Sequence, residues 1–153
     1  MSLNFRDATL ADLPAIIAML ADDVNSAGRE DPSLPLDPRY EAAFADIDAS
    51  ADQRLIVAEL DGAMIGTMQL TFIPGIAFRG AWRGQIEAVR IASNVRGGGH
   101  GTAMIEWAVE QCRARGCRMV QLMSMTSRAD AHRFYEKMGW VRSHYGFKLK
   151  LED

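Results

Sequence analysis

The 153-residue chain has no apolar run approaching the roughly 18 residues of a membrane span, and no basic-then-apolar opening of a signal peptide. Its two cysteines, Cys112 and Cys117, are too few for a disulfide framework or a cysteine-built ligand cluster, so a reducing, cytoplasmic setting is expected. His100, His132 and His144 stand at no metal-ligand spacing with other histidines, cysteines or carboxylates, and no metal site is expected. Linkers, repeats and low-complexity tracts are absent, so residues 1–153 are expected to form a single domain. A net charge of −3 argues against a general nucleic-acid binder.

What is present is an ordinary globular composition, 48% hydrophobic and 24% charged, enough for a real core. The small net charge conceals a split. Met1–Gly62 carries 4 basic and 13 acidic residues, and Ala63–Asp153 carries 13 basic and 7 acidic, giving −9 and +6. Fourteen of the 17 basic residues are arginine, whose planar fork suits phosphate. Either the two parts meet partners of opposite charge, or this is ordinary surface charge.

Periodicity predicts a first strand at Leu3–Arg6. A helix follows, opened by the capping-box-like pair Thr9 and Asp12 and carrying Leu13, Ile16, Ile17, Leu20 and Val24. Asn25–Pro38, with three of the five prolines, reads as a loop, and a short helix then presents Tyr40, Phe44 and Ile47. Gln53–Leu60 and Ala63–Ile73 read as strands around an Asp61-Gly62 hairpin, with Gln85–Ala92 a third strand. Met104, Ile105, Ala108, Val109 and Cys112 share a helical face ended by Gly116. Arg118–Met125 reads as a strand whose alternating Met119, Met123 and Met125 fill core or line a channel. Ser127 and Asp130 form a second capping-box-like start, for a helix stopped by Gly139. Trp140–Arg142 and Tyr145–Leu151 close the chain as an antiparallel pair. The order β-α-α-β-β-β-α-β-α-β-β makes a mixed α/β sheet with helices on its faces.

Between a strand and a helix, Arg96-Gly97-Gly98-Gly99-His100-Gly101-Thr102 puts four glycines into five positions. Amides without a neighbouring Cβ can approach a ligand closely, and a helix N-terminus favours anions, so the segment is physically a pyrophosphate cradle. It lacks the lysine of a nucleotide-phosphate loop. It also fails the dinucleotide pattern, whose last glycine would fall on Thr102 or Met104. Arg96-x-x-Gly99-x-Gly101 resembles instead the acyl-CoA motif of the GNAT superfamily of N-acetyltransferases. The run Ala131-His132-Arg133-Phe134-Tyr135-Glu136-Lys137-Met138-Gly139-Trp140 resembles that superfamily's second motif, which usually ends Gly-Phe.

The resemblance implies a sheet splayed between its fourth and fifth strands, with acetyl-CoA in the opening. It implies that Val89, Arg90 and Ile91 offer backbone groups to the acetyl-pantetheine arm, and that Arg96, Gly97, Gly98, Gly99, His100, Gly101, Thr102 and Ala103 hold the pyrophosphate. Arg128 stands where many members have asparagine; it either reaches a CoA phosphate or is a solvated helix-start residue. Tyr135 takes the position of the family's general acid, a phenol that keeps its proton at neutral pH. Glu87, which a regular strand would place on one face with Val89 and Ile91, is the candidate base, its pKa raised by partial burial. Tyr135 could equally pack as a core aromatic and Glu87 sit in a salt bridge.

The expected reaction is acetyl transfer to a small cationic amine. Protein amino-group acetylation and a non-catalytic CoA sensor are the alternatives. The acceptor would meet the first helices, the 25–38 loop with Asp22, Asp23, Glu30, Asp31 and Asp37, and the 75–84 loop with Phe78 and Trp82. No nucleic acid or membrane partner is expected, and a homodimer is open to the chain.

Overall fold

A computed structural model describes residues 2–26 and 28–152. Its elements are β1 (Leu3–Asp7), α1 (Leu13–Ala21), α2 (Pro38–Ala49), β2 (Gln53–Leu60), β3 (Ala63–Ile73), α3 (Ala77–Gly80, a single turn kinked by left-handed Phe78 and Arg79), β4 (Arg83–Ile91), α4 (His100–Ala114), β5 (Met119–Leu122) and α5 (Ala129–Lys137). The strands form one sheet in the order β1-β2-β3-β4-β5, antiparallel up to β4 and parallel between β4 and β5. This is the expected mixed α/β class. The chain falls into two compact units, residues 1–121 and 122–153. Among the described residues no helix is long and apolar enough to cross a membrane.

In the first unit, Asp61 (φ 51°) and Gly62 (φ 85°) are both left-handed, as the tightest hairpin between twisted strands requires. Each face of the sheet has its own cover. On one, Ile16 of α1 packs with Ala8 and Val57, extended by Leu20, Phe44 and Leu55. On the other, α4 buries Met104, Ile105, Ala108 and Cys112 completely. Two glycines admit that helix: a Cβ at Gly84 would lie 2.2 Å from Cys112 Sγ, and one at Gly66 would lie 2.7 Å from Met104 Sδ. Helix α4 ends in a Schellman turn, Cys117 N–H donating to Cys112 O and Gly116 N–H to Arg113 O, both at 3.0 Å, with Gly116 at φ 88°.

Where the chain enters α1, the expected box forms. Asp12 accepts from Arg6 at 2.7 and 2.9 Å and from the Thr9 N–H at 2.7 Å. The Arg6 bonds, aided by Thr9, hold the Asp12 carboxyl down at about 2.

The junction of β4 and β5 is the loosest in the sheet, where the splay was expected. Arg118 N–H donates to Trp82 O at 2.9 Å, and Gln121 bonds Gln85 at 2.9 Å across an offset of 36 residues. At that offset a longer β5 would need the backbone of Glu87 and Ala88, where β4 is bulged. The strand stops at Leu122, short of the expected Met125, and Met123 and Met125 are exposed rather than core.

In the second unit, α5 ends as α4 does: Trp140 N–H donates to Tyr135 O and Gly139 N–H to Glu136 O, both at 3.0 Å. Two expectations fail here. Residues 140–152 carry no strand, since a three-residue partner offers too few ladder bonds to hold a hairpin by itself. The capping box at Ser127 is also absent: Arg128 occupies the N-cap without a side-chain cap, and Asp130 pairs with Arg133 instead.

Two measurements test this packing. Gly84→Ala should lower the unfolding free energy by about 1–3 kcal/mol, because the new methyl collides with Cys112. Adding Cys112→Ala should recover much of that loss. Asp12→Asn should cost on the order of 1–2 kcal/mol near pH 7. The folded pKa of Asp12 is depressed, so its contribution is whole above the ordinary value of 3.8 and fades as pH falls toward 2. Urea titrations at pH 7 and pH 3 should therefore show the difference between variant and parent shrinking with acid.

Candidate active site

Strand β4 is not regular. Its pairing with β3 runs Gln69↔Glu87 and then Thr67↔Arg90, so two β4 residues, Ala88 and Val89, oppose Met68 alone. Ala88 takes φ 54° to make the bulge. The extra residue reverses the alternation beyond it. Glu87 and Arg90 now share the face of Gln69 and Thr67, the side covered by α1. Ile86 and Ile91 share the α4 side with Leu70 and Gly66. This corrects the sequence expectation for Glu87. It does not share a face with Ile91, and it is exposed rather than partly buried.

Around Glu87 the α1 face of the sheet is polar. Gln53 accepts from Gln69 at 3.2 Å and from Thr71 at 2.8 Å, and Gln85 bonds Gln121. Farther along β4, Arg90 donates to Val89 O at 2.8 Å and to Ser26 Oγ at 3.3 Å, and lies 3.4 Å from Asp23. Sequence patterning gave no hint of this contact, because without the bulge Arg90 would project to the other side.

Beyond β4 comes the glycine turn. Gly97 (φ 90°) and Gly99 (φ 77°) are left-handed and Gly98 between them is not. Alternation of hand along a chain is the kind of geometry from which anion-binding nests are built. A Cβ at Gly97 or Gly99 would meet nothing within 4 Å, so the space above both amides is open. Gly99 is the N-cap of α4, which runs on through His100, Gly101, Thr102 and Ala103 with its positive end at the turn. The His100 ring sits over Gly98, whose Cβ would meet Nε2 at 2.8 Å. Arg96 donates Nε to Ile91 O at 3.2 Å, which ties the turn back to the end of β4. The residues present fit a pyrophosphate.

In the second unit, Tyr135 lies on α5 between two aromatic rings, Phe134 at 5.1 Å and Trp140 at 5.8 Å, both edge-on. His132 shares Nε2 with Met125 O at 2.8 Å, a bond that requires the proton on that nitrogen and anchors the helix to the preceding loop. The Arg128 side chain is exposed, while its backbone opens the helix. Ser124 Oγ is buried without a hydrogen-bond partner among the described residues, a feature with no sequence signal.

Most acidic residues expected to greet an acceptor are engaged locally. Asp23 pairs with Arg90, Glu30 with Arg29, Asp37 with Arg39, and Asp31 accepts from Ser33. The Asp37 carboxyl is held at about 2 by its bonds from Arg39. In the 75–84 loop Phe78 is exposed, and it and Arg79 are left-handed at φ 54° and 59°. The thiols are not poised for attack: burial pushes Cys112 up to about 11 and raises Cys117. Among the described residues no three His, Cys, Asp or Glu side chains gather as a metal-ion site.

Comparison with known proteins relates the chain to one family by sequence and to a solved structure named for a different role. The sequence model of the Acetyltransferase (GNAT) family matches residues 19–140. An L-methionine sulfoximine/L-methionine sulfone acetyltransferase of Pseudomonas paraeruginosa is 27% identical over 142 residues, covering 92% of this chain and 81% of that protein. An aminoalkylphosphonate N-acetyltransferase of Salmonella typhimurium is 35% identical over 70 residues, 46% of each chain. In three dimensions, a transcriptional regulator from Bacillus halodurans C-125 superposes with a TM-score of 0.94 at 40% identity, over 98% of this chain and 100% of that one.

The bulge has its own test. An alanine at φ 54° is strained where glycine is not, so Ala88→Gly should raise the unfolding free energy by about 0.5–1 kcal/mol. A β-branched valine tolerates that region worst, and Ala88→Val should lower stability by more than about 1 kcal/mol. Equal stability of the three proteins in urea would contradict the left-handed assignment.

Proposed function

Since the chain belongs to the acetyltransferase (GNAT) family, we propose that it moves an acetyl group from acetyl-CoA to the primary amine of a small molecule by direct attack. The observation that carries this reading is the open glycine nest at the start of α4, directly after the bulged strand that bears Glu87. Two relatives named for acetylation of aminoalkylphosphonates and of methionine sulfoximine support a small acceptor.

Acetyl-CoA supplies an activated thioester. The amides of Gly97 through Ala103 would hold its pyrophosphate, and the side chain of Arg96 or Arg128 would add charge there. Backbone groups of Val89, Arg90 and Ile91 would align the acyl arm; two of the three carbonyls, of Val89 and Ile91, already accept from Arg90 and Arg96. Glu87 would take the proton whose loss turns the ammonium into a nucleophilic amine, directly or through water. Its exposure suits relay through water. Tyr135 would return a proton to the leaving sulfur, oriented by Phe134 and Trp140.

The acceptor is proposed to be cationic in its resting form. The attraction would come from the summed field of the acidic N-terminal part, at −9, rather than from a free carboxylate, since most of those carboxylates are paired.

Free-thiol release from acetyl-CoA should be followed with a panel of amines: L-methionine sulfoximine, L-methionine sulfone, an aminoalkylphosphonate, a polyamine, an aminoglycoside and a lysine peptide. Turnover with a small amine is expected, and release with none of them would refute the proposal. Tyr135→Phe should lower kcat by about 10²-fold while the rise in Tm caused by CoA persists. Gly99→Val should abolish that rise, because the side chain fills the nest and strains its backbone.

A further inference from the structure

Residues 23–26, just after α1, are carried on β4 by a largely buried polar cluster. Arg90 and Asp23 are each 14% exposed and 3.4 Å apart. Ser26, 2% exposed, accepts from Arg90 at 3.3 Å and from Arg29 at 2.8 Å. Asp23 also accepts from the Asn25 N–H at 2.9 Å, which folds the segment into a 3₁₀ turn, Val24–Ser26. An ion pair largely withdrawn from water contributes little net stability compared with an apolar pair of similar size, because desolvation offsets the attraction. What it provides is one fixed geometry.

That geometry concerns both partners of the reaction. Arg90 lies between Val89 and Ile91, and the Ala88 bulge turns it to the face of Glu87. We infer that Arg90 is a positioning residue: through Asp23 and Ser26 it holds the 23–26 segment against the face of β4 that also carries Glu87, and so sets acceptor binding. This rests on the acetyltransferase reading above. Arg90 itself touches no reacting atom. It couples the strand that would align the acyl arm to the segment that would meet the amine.

The test uses Arg90→Met, Arg90→Lys and the double variant Asp23→Leu/Arg90→Met, which leaves no unpaired buried charge if the single variant folds poorly. With the best amine of the panel, KM for the amine should rise about tenfold in the Met and double variants. The substitutions keep the β4 backbone but release the Val89 carbonyl from Arg90, so KM for acetyl-CoA should change much less than KM for the amine. Arg90→Lys should recover most of the loss, since an ammonium can still meet Asp23 and Ser26. Amide hydrogen exchange of residues 23–26 should quicken in the Met and double variants. A proportional rise in both KM values, or an unchanged amine KM, overturns the positioning role. Unchanged exchange overturns the clamp itself. Should the parent transfer acetyl to no amine, the functional reading fails along with the role in acceptor binding, while exchange still decides whether the clamp exists.

Discussion

The bulge at Ala88 is the constraint on which the remaining geometry depends. One extra residue in β4 reverses the inward and outward alternation for the rest of the strand. Glu87 and Arg90 thereby come to one face, and Ile91 is turned to the α4 side over Gly66. The same irregularity removes the regular edge that a longer β5 would need, so β5 is short and its junction with β4 loose. A left-handed alanine has a conformational cost, and the sheet bears it at the strand closest to the proposed chemistry.

Helix α4 is the second fixed point, and its position follows from what two glycines lack. Gly66 and Gly84 have no side chains, so Met104 and Cys112 settle against the backbone of β3 and β4. A helix this close to the sheet has little freedom to slide. Its N-terminus is therefore held at the end of β4, with Gly97 and Gly99 opening the amides outward. Close packing beneath the helix and open amides at its tip have one cause, the missing Cβ atoms of Gly66 and Gly84 below and of Gly97 and Gly99 at the turn. The Schellman turns after α4 and α5 close both motif-bearing helices with the same pair of bonds.

The division of charge takes on a more specific meaning in three dimensions. Patterning suggested an acidic part facing a cation and a basic part facing an anion. Arginines cross that division instead: Arg90 pairs with Asp23 and Arg115 with Asp52. Within the acidic part, Arg6, Arg29 and Arg39 bind Asp12, Glu30 and Asp37. Much of the formal imbalance is therefore spent on holding segments in place, and only the residual field is available to a ligand.

Periodicity and turn chemistry alone determined much of the fold. The bounds of β2 and β3, the Asp61-Gly62 hairpin, the buried face of α4 and the stops at Gly116 and Gly139 all follow from local rules. The glycine cluster and the Tyr135 run identified the family for the same reason, since both motifs lie in continuous sequence. Tertiary structure decided the rest. A bulge has no local signature when the residue at positive φ is alanine, so the faces of Glu87 and Arg90 could not be read in advance. Strand length was likewise settled by the partner: Arg118–Met125 alternates well, yet β5 ends at Leu122 where β4 departs from regularity. The tail at 140–152 has a strand's alternation without strand pairing. Side-chain pattern expresses a preference for an extended conformation, whereas a strand exists only where another backbone supplies the hydrogen bonds.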